Sequence, residues 1–171
     1  MEITVETRPT KWTPMKALGR AQKEMDALGL PNLTVDLAER LDLEFSKLTN
    51  YDNKQLEDFL TLYGGYKGYL ETKISDIEAT VGALDAAFTE GFNTALFKVA
   101  KEYEEEGRKK PTREELRGEI LYKFESLREL KRDLIEQQAL LKKTSGLLNT
   151  YTTAYNTVSR IVALRTYGTQ S

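Results

Sequence analysis

Residues 56–99, LEDFLTLYGGYKGYLETKISDIEATVGALDAAFTEGFNTALFKV, decide the fold. Their apolar side chains fall at Leu56, Phe59, Tyr63, Tyr66, Leu70, Ile74, Ile77, Val81, Leu84, Phe88, Phe92, Ala95 and Val99, always three or four residues apart. Twelve such steps over 43 residues average about 3.58, between the coiled-coil period of 3.5 and the straight-helix period of 3.6. The spacing predicts a single helix of about 50 residues, on the order of 75 Å long at 1.5 Å per residue. Only Gly64-Gly65-Tyr66-Lys67-Gly68 weakens it, at about 1 kcal/mol per glycine relative to alanine. Those glycines mark a bend or a place where another backbone comes close.

Downstream, the pattern stops between Glu102 and Lys110 and starts again. Gly107 suits a helix C-terminus, and Pro111 precedes the capping box Thr112-Arg113-Glu114-Glu115, in which Thr112 and Glu115 satisfy each other's amides. From Leu127 through Leu130, Leu134, Gln137, Leu141, Thr144, Leu148, Tyr151, Tyr155 and Val158 to Val162 the steps are strictly 3, 4, 3, 4. This predicts a second helix of about 50 residues, and two long helices with a short connection predict an antiparallel hairpin. Leu140, Leu147, Ala154 and Ile161 add a third apolar position per heptad. A stripe that broad needs a neighbour beyond the hairpin partner, which the two short upstream helices supply in part and a homo-oligomer supplies in full.

Upstream, Glu2-Ile3-Thr4-Val5-Glu6-Thr7 alternates like an edge strand or a flexible arm, and Trp12 is placed to staple that arm to the body. A short helix begins at Thr13-Pro14 and stops at Gly29 and Pro31. A second runs from about Thr34 to Lys47, with Leu37, Leu41, Phe45 and Leu48 on one face. The expected fold is therefore all-α, with an arm and two short helices over 1–50 and a long antiparallel helical hairpin of coiled-coil character over 51–171.

Composition narrows the function. At 171 residues, 40% hydrophobic and 30% charged, the chain fits one folded domain. It contains neither cysteine nor histidine, so disulfide frameworks, thiol nucleophiles and imidazole acid–base chemistry are excluded, and a zinc site is not expected. Paired acids such as Asp76 with Glu78, or Asp85 with Glu90, are not spaced to share one helix face. No cofactor and no enzymatic activity are expected. The acids Glu2 and Glu6 and the lack of an apolar stretch argue against a secretory peptide, and no window is long and apolar enough to span a membrane. The expected location is cytoplasmic.

The net charge of −2 hides a strong polarity. Residues 71–106 carry nine acids and three bases, whereas 137–171 carry Lys142, Lys143, Arg160 and Arg165 and no acid. Tyr151, Tyr155 and Tyr167 lie among many hydroxyl residues in that acid-free segment, a composition suited to single-stranded nucleic acid: cations track phosphates, rings stack on bases and hydroxyls donate to phosphate. Tyr151 and Tyr155 also occupy seam positions. At the hairpin tip, Arg108, Lys109, Lys110, Arg113 and Arg117 either grip phosphate or offset Glu104-Glu105-Glu106.

From Lys109-Lys110-Pro111-Thr112 through the heptad helix to Val158-Ser159-Arg160-Ile161, the chain resembles the C-terminal half of the recombination mediators of T-even phages (UvsY-like). The preceding helix, with Tyr63, Tyr66 and Tyr69 followed by a charged stretch, is similar to their first half, so the likeness covers about 52–165 and leaves 1–50 without a counterpart. The resemblance implies an oligomeric helical protein that binds single-stranded DNA and helps load a recombinase onto DNA coated with single-strand-binding protein. It implies Lys109, Lys110, Arg160 and Arg165 as DNA contacts. The alternative is a protein–protein interaction module, either an assembly subunit or an inhibitor of a host or defence protein.

Overall fold

The computed structural model describes residues 13–30, 50–109 and 111–168. Four helices account for nearly all of them: α1 Pro14–Ala27, α2 Asn53–Glu105, α3 Arg113–Lys123 and α4 Glu125–Gly168. No strand occurs among the described residues. The run at 2–7, Trp12, the second short helix expected over 34–47, and Lys110 lie outside them. No helix of the described residues is long and apolar enough to cross a membrane.

α2 runs unbroken for 53 residues, straight through Gly64, Gly65 and Gly68. Its start is fixed by a capping box that the hydrophobic pattern does not reveal: Asp52 accepts the Gln55 amide at 2.8 Å, and the Gln55 side chain accepts the Asp52 amide at 3.0 Å. Its end is a Schellman motif. Gly107 adopts φ 64°, its amide donates to the Glu104 carbonyl at 3.2 Å, and the Arg108 amide donates to the Tyr103 carbonyl at 3.1 Å. After the turn, the box at Thr112 and Glu115 opens α3 as the sequence predicts.

The second arm is antiparallel to the first. Arg165 reaches Asn53 at one end, Gly91 meets Leu127 further along, and Tyr103 meets Glu119 at the tip. The arm is not one helix, however. Phe124 leaves helical geometry (φ −108°, ψ 95°) and divides it into 11 and 44 residues. The heptad explains the break. Continued without interruption, the seam that holds Ile120 and Leu127 would place Lys123 between them, burying an ammonium at prohibitive cost. The extended residue turns Phe124 into the core instead, and Lys123 reaches outward to Glu102 and Glu119 at 2.7 and 2.8 Å.

Two apolar clusters hold the rod. Near the open end, Leu56, Tyr63, Leu70, Tyr151, Ala154 and Val158 are fully buried or nearly so. Near the tip, Phe88, Ala95, Val99, Ile120 and Leu127 form the other. Between them α1 lies along α4: Arg20 pairs with Glu136 at 2.8 Å, Lys143 donates to Gln22 at 2.6 Å, and Met25 packs beside the buried Thr144 hydroxyl. Leu140 and Ala154, two of the third-position residues, are thereby buried within a single chain. The breadth of the apolar stripe is met in large part without a second copy.

Within the helices, Gly91 is the glycine with the tightest packing, because a Cβ there would sit 2.7 Å from Leu127 Cδ2. Gly65 and Gly68 face open space with helical backbone. Gly65→Ala and Gly68→Ala are therefore expected to stabilise the protein by about 0.5–1 kcal/mol each, read as an increase in urea midpoint at unchanged slope.

Candidate nucleic-acid interface

Ten of the side chains singled out in the sequence fall into three places. Lys109, Arg113 and Arg117 are exposed at the tip, with Lys110 outside the described residues. Lys142 and Lys143 lie halfway along α4. Tyr151, Tyr155, Arg160 and Arg165 lie near its far end. About 64 Å of helix separates Arg117 from Arg160 at 1.5 Å per residue, so the sets do not converge in one protomer.

The far end of α4 loses most of its expected role. Tyr151 is 0% exposed, 6.1 Å from Tyr63 and 5.2 Å from Tyr66 between ring centroids, so its ring is part of the core and closed to a nucleobase. Tyr155 packs at the edge of the same cluster beside Gly64. Arg165 donates to Asn53 at 3.0 Å, and Lys143 is drawn to α1 by Gln22. The hydroxyls are spoken for as well: Thr150, Thr153, Thr157 and Thr166 each donate to the carbonyl four residues earlier, at 2.8–3.2 Å, so their protons are turned inward rather than toward a phosphate. Arg160 and Lys142 remain as the exposed cations of α4.

Burial also governs the tyrosine cluster. Removal from water pushes the Tyr63 hydroxyl up to about 12 and moves Tyr151 upward too. Among the described residues, the Tyr63 hydroxyl is the one buried side-chain polar atom without a hydrogen-bond partner. Tyr63→Phe removes that unmet group at almost constant shape, and is expected to raise stability by about 1 kcal/mol, measured as a higher thermal midpoint.

The tip has the opposite character. Most of its carboxylates are engaged within the protein, whereas Glu104 and Glu114 are exposed and bonded to no described residue. Glu102 and Glu119 hold Lys123; Glu119 also accepts the Tyr103 hydroxyl at 2.6 Å; Glu105 pairs with Lys101, and Glu106 with Arg108. Glu115 caps α3. The Lys123 ammonium and the Tyr103 hydroxyl hold the Glu119 carboxyl below the ordinary carboxylate range, and the Thr112 amide and hydroxyl do the same for Glu115. Arg108 is shared between Glu106 and the face of Tyr103, 4.7 Å from the ring centre. Lys109, Arg113 and Arg117 make no ion pair or hydrogen bond with any described residue. Tyr122, 82% exposed, stands on the same short helix. A total charge near zero thus leaves three outward cations, two outward acids (Glu104 and Glu114) and an aromatic ring, because pairing and capping engage more acids than bases.

Among the described residues no group of three or more acids is placed to hold a metal ion. A cleft of about 290 Å³ lies between α1, α2 and α4, lined by Glu24, Lys73, Asp76, Thr80, Gln137 and Thr144 among others. No family model, curated protein or solved structure matches the chain.

Proposed function

We propose that this chain is a non-enzymatic, self-associating helical protein that captures single-stranded DNA at its hairpin tip, in the manner of a recombination mediator. The observation that supports this reading is that five of the tip's seven carboxylates, Glu102, Glu105, Glu106, Glu115 and Glu119, are committed within the protein while Lys109, Arg113 and Arg117 stay free. Arg113 and Arg117 share one face of α3, with Lys109 in the turn before it, and such a set suits contact with the phosphates of a single strand; the exposed Tyr122 stands on the opposite face of that helix. Few contacts per protomer make avidity from repeated copies part of the mechanism. The resemblance to the T-even mediators fits this reading and adds a recombinase or single-strand-binding protein as the expected partner.

Mobility shift with single-stranded oligonucleotides at low and moderate salt tests it. Saturable binding that weakens as salt rises is expected, and absence of a shift at micromolar protein overturns the reading. In that case Phe97 and Tyr122, 74% and 82% exposed, favour a protein–protein module acting through the same end of the rod.

A further inference from the structure

Among the described residues, α1 covers one broad side of the hairpin and no element covers the other. Lys73 and Thr80 mark the covered flank of α2, since they line the cleft with Glu24 and Leu28 of α1. At 100° per residue, Glu71, Glu78 and Asp85 fall on the opposite flank, one heptad apart, and all three are exposed. On α4 the residues turned to α1 are Glu136, Lys143 and Thr144. Lys142, Asn149, Asn156 and Arg160 are turned away from it and exposed. The exposed residues of α4 from Gln138 onward include no carboxylate. One side of the rod therefore displays an acidic column along α2 beside a basic, amide-bearing column along α4.

We propose that this open side is the contact surface for a second copy of the chain, with the acidic column of α2 in each copy laid against the carboxylate-free column of α4 in the other. Two columns of opposite sign on one side are self-complementary under a twofold axis. The axis direction follows from the charges. A twofold parallel to the rods places α2 over α4 twice, whereas one across the rods places acid on acid. The parallel arrangement also brings charges level. Lys131 stands over Phe88 in its own chain, 5.0 Å from the ring centre, so it comes level with Asp85 of the second copy. The register set by Asn53 with Arg165 and Gly91 with Leu127 brings Lys142 level with Glu78. Both tips then lie at the same end, which doubles the cations facing one strand. That consequence rests on the tip reading above; the dimer itself does not.

Charge reversal in the absence of nucleic acid tests the contact. Sedimentation equilibrium of the wild-type protein is expected to show a monomer–dimer equilibrium that weakens as salt approaches 1 M, where the screening length is about 3 Å. Glu78→Lys/Asp85→Lys and Lys131→Glu/Lys142→Glu are each expected to be monomeric with unchanged helicity, and their equimolar mixture to regain the dimer. A wild-type monomer at 100 μM protein, an unaffected dimer in either variant, or a mixture that stays monomeric overturns the proposal. Since the chain has no cysteine, a single spin label at Glu114→Cys reads the direction. Labels close together support parallel rods, and labels separated by about the rod length of 80 Å overturn them. Failure of DNA binding with an intact dimer would sink the tip reading alone.

Discussion

Tyr151→Ala is expected to cost about 3–5 kcal/mol, lowering the thermal midpoint by roughly 10 °C in a chain of this size. The ring is fully buried, and it closes the open-end cluster against Tyr63, Tyr66 and Val158. Removing it leaves a cavity at the centre of a thin rod. Such a rod has few neighbouring atoms able to collapse into the space. The companion variant Tyr151→Leu separates core from contact. It retains most of the apolar volume but no stacking face, so single-stranded DNA affinity is expected to stay within twofold at a temperature where the protein is folded. A ring that stacked on a base would instead lose about 1–3 kcal/mol of binding on either substitution.

Arg113→Ala/Arg117→Ala is expected to act the other way, leaving the fold intact and weakening the capture of DNA. Both side chains are exposed and bonded to no described residue, so the urea midpoint should move by less than about 0.5 kcal/mol equivalent. Losing two of three free cations at the tip should reduce affinity on the order of tenfold at moderate salt and lower the salt slope by about 1.4 per protomer. Arg160→Ala/Arg165→Ala is the matching control at the far end of α4. Arg165 is held by Asn53, and Arg160 stands well away from the tip, so affinity per protomer should change little. Loss of binding in this control with the tip variant unaffected would assign the strand to α4.

Much of the architecture was legible in the sequence because a long apolar stripe has few ways to be buried. The seam from Leu56 to Val99, the cap at Thr112, the stop at Gly107 and the stop at Gly29 all stand where residue chemistry places them. What escaped depends on side chains that meet across the hairpin. The break at Phe124 carries no proline or glycine; its signal is Lys123 at a seam position, visible only when the heptad is extended upstream from Leu127 past the start of the obvious pattern. Gly91 looks no different in the sequence from Gly65, and only the approach of Leu127 tells them apart.

The candidate site was less legible than the fold. Tyrosines and threonines in a basic segment read equally as ligands or as packing, and burial together with i to i−4 hydroxyl bonds resolved them as packing. The tip's cations read equally as a phosphate grip or as an offset to Glu104-Glu105-Glu106, because counting charges ignores which acids are engaged. The pairs Glu102–Lys123, Glu119–Lys123 and Glu106–Arg108 show which charges are engaged, and leave Lys109, Arg113 and Arg117 outnumbering the unpaired Glu104 and Glu114.

The most direct measurement is fluorescence anisotropy of a labelled oligothymidine titrated with the protein between 50 and 200 mM salt. Three phosphate contacts per protomer predict a slope of log affinity on log salt near −2 per bound protomer, since each single-strand contact contributes about −0.7. A slope near zero, or no binding at any salt in that range, would contradict the claim that Lys109, Arg113 and Arg117 are where this protein holds DNA.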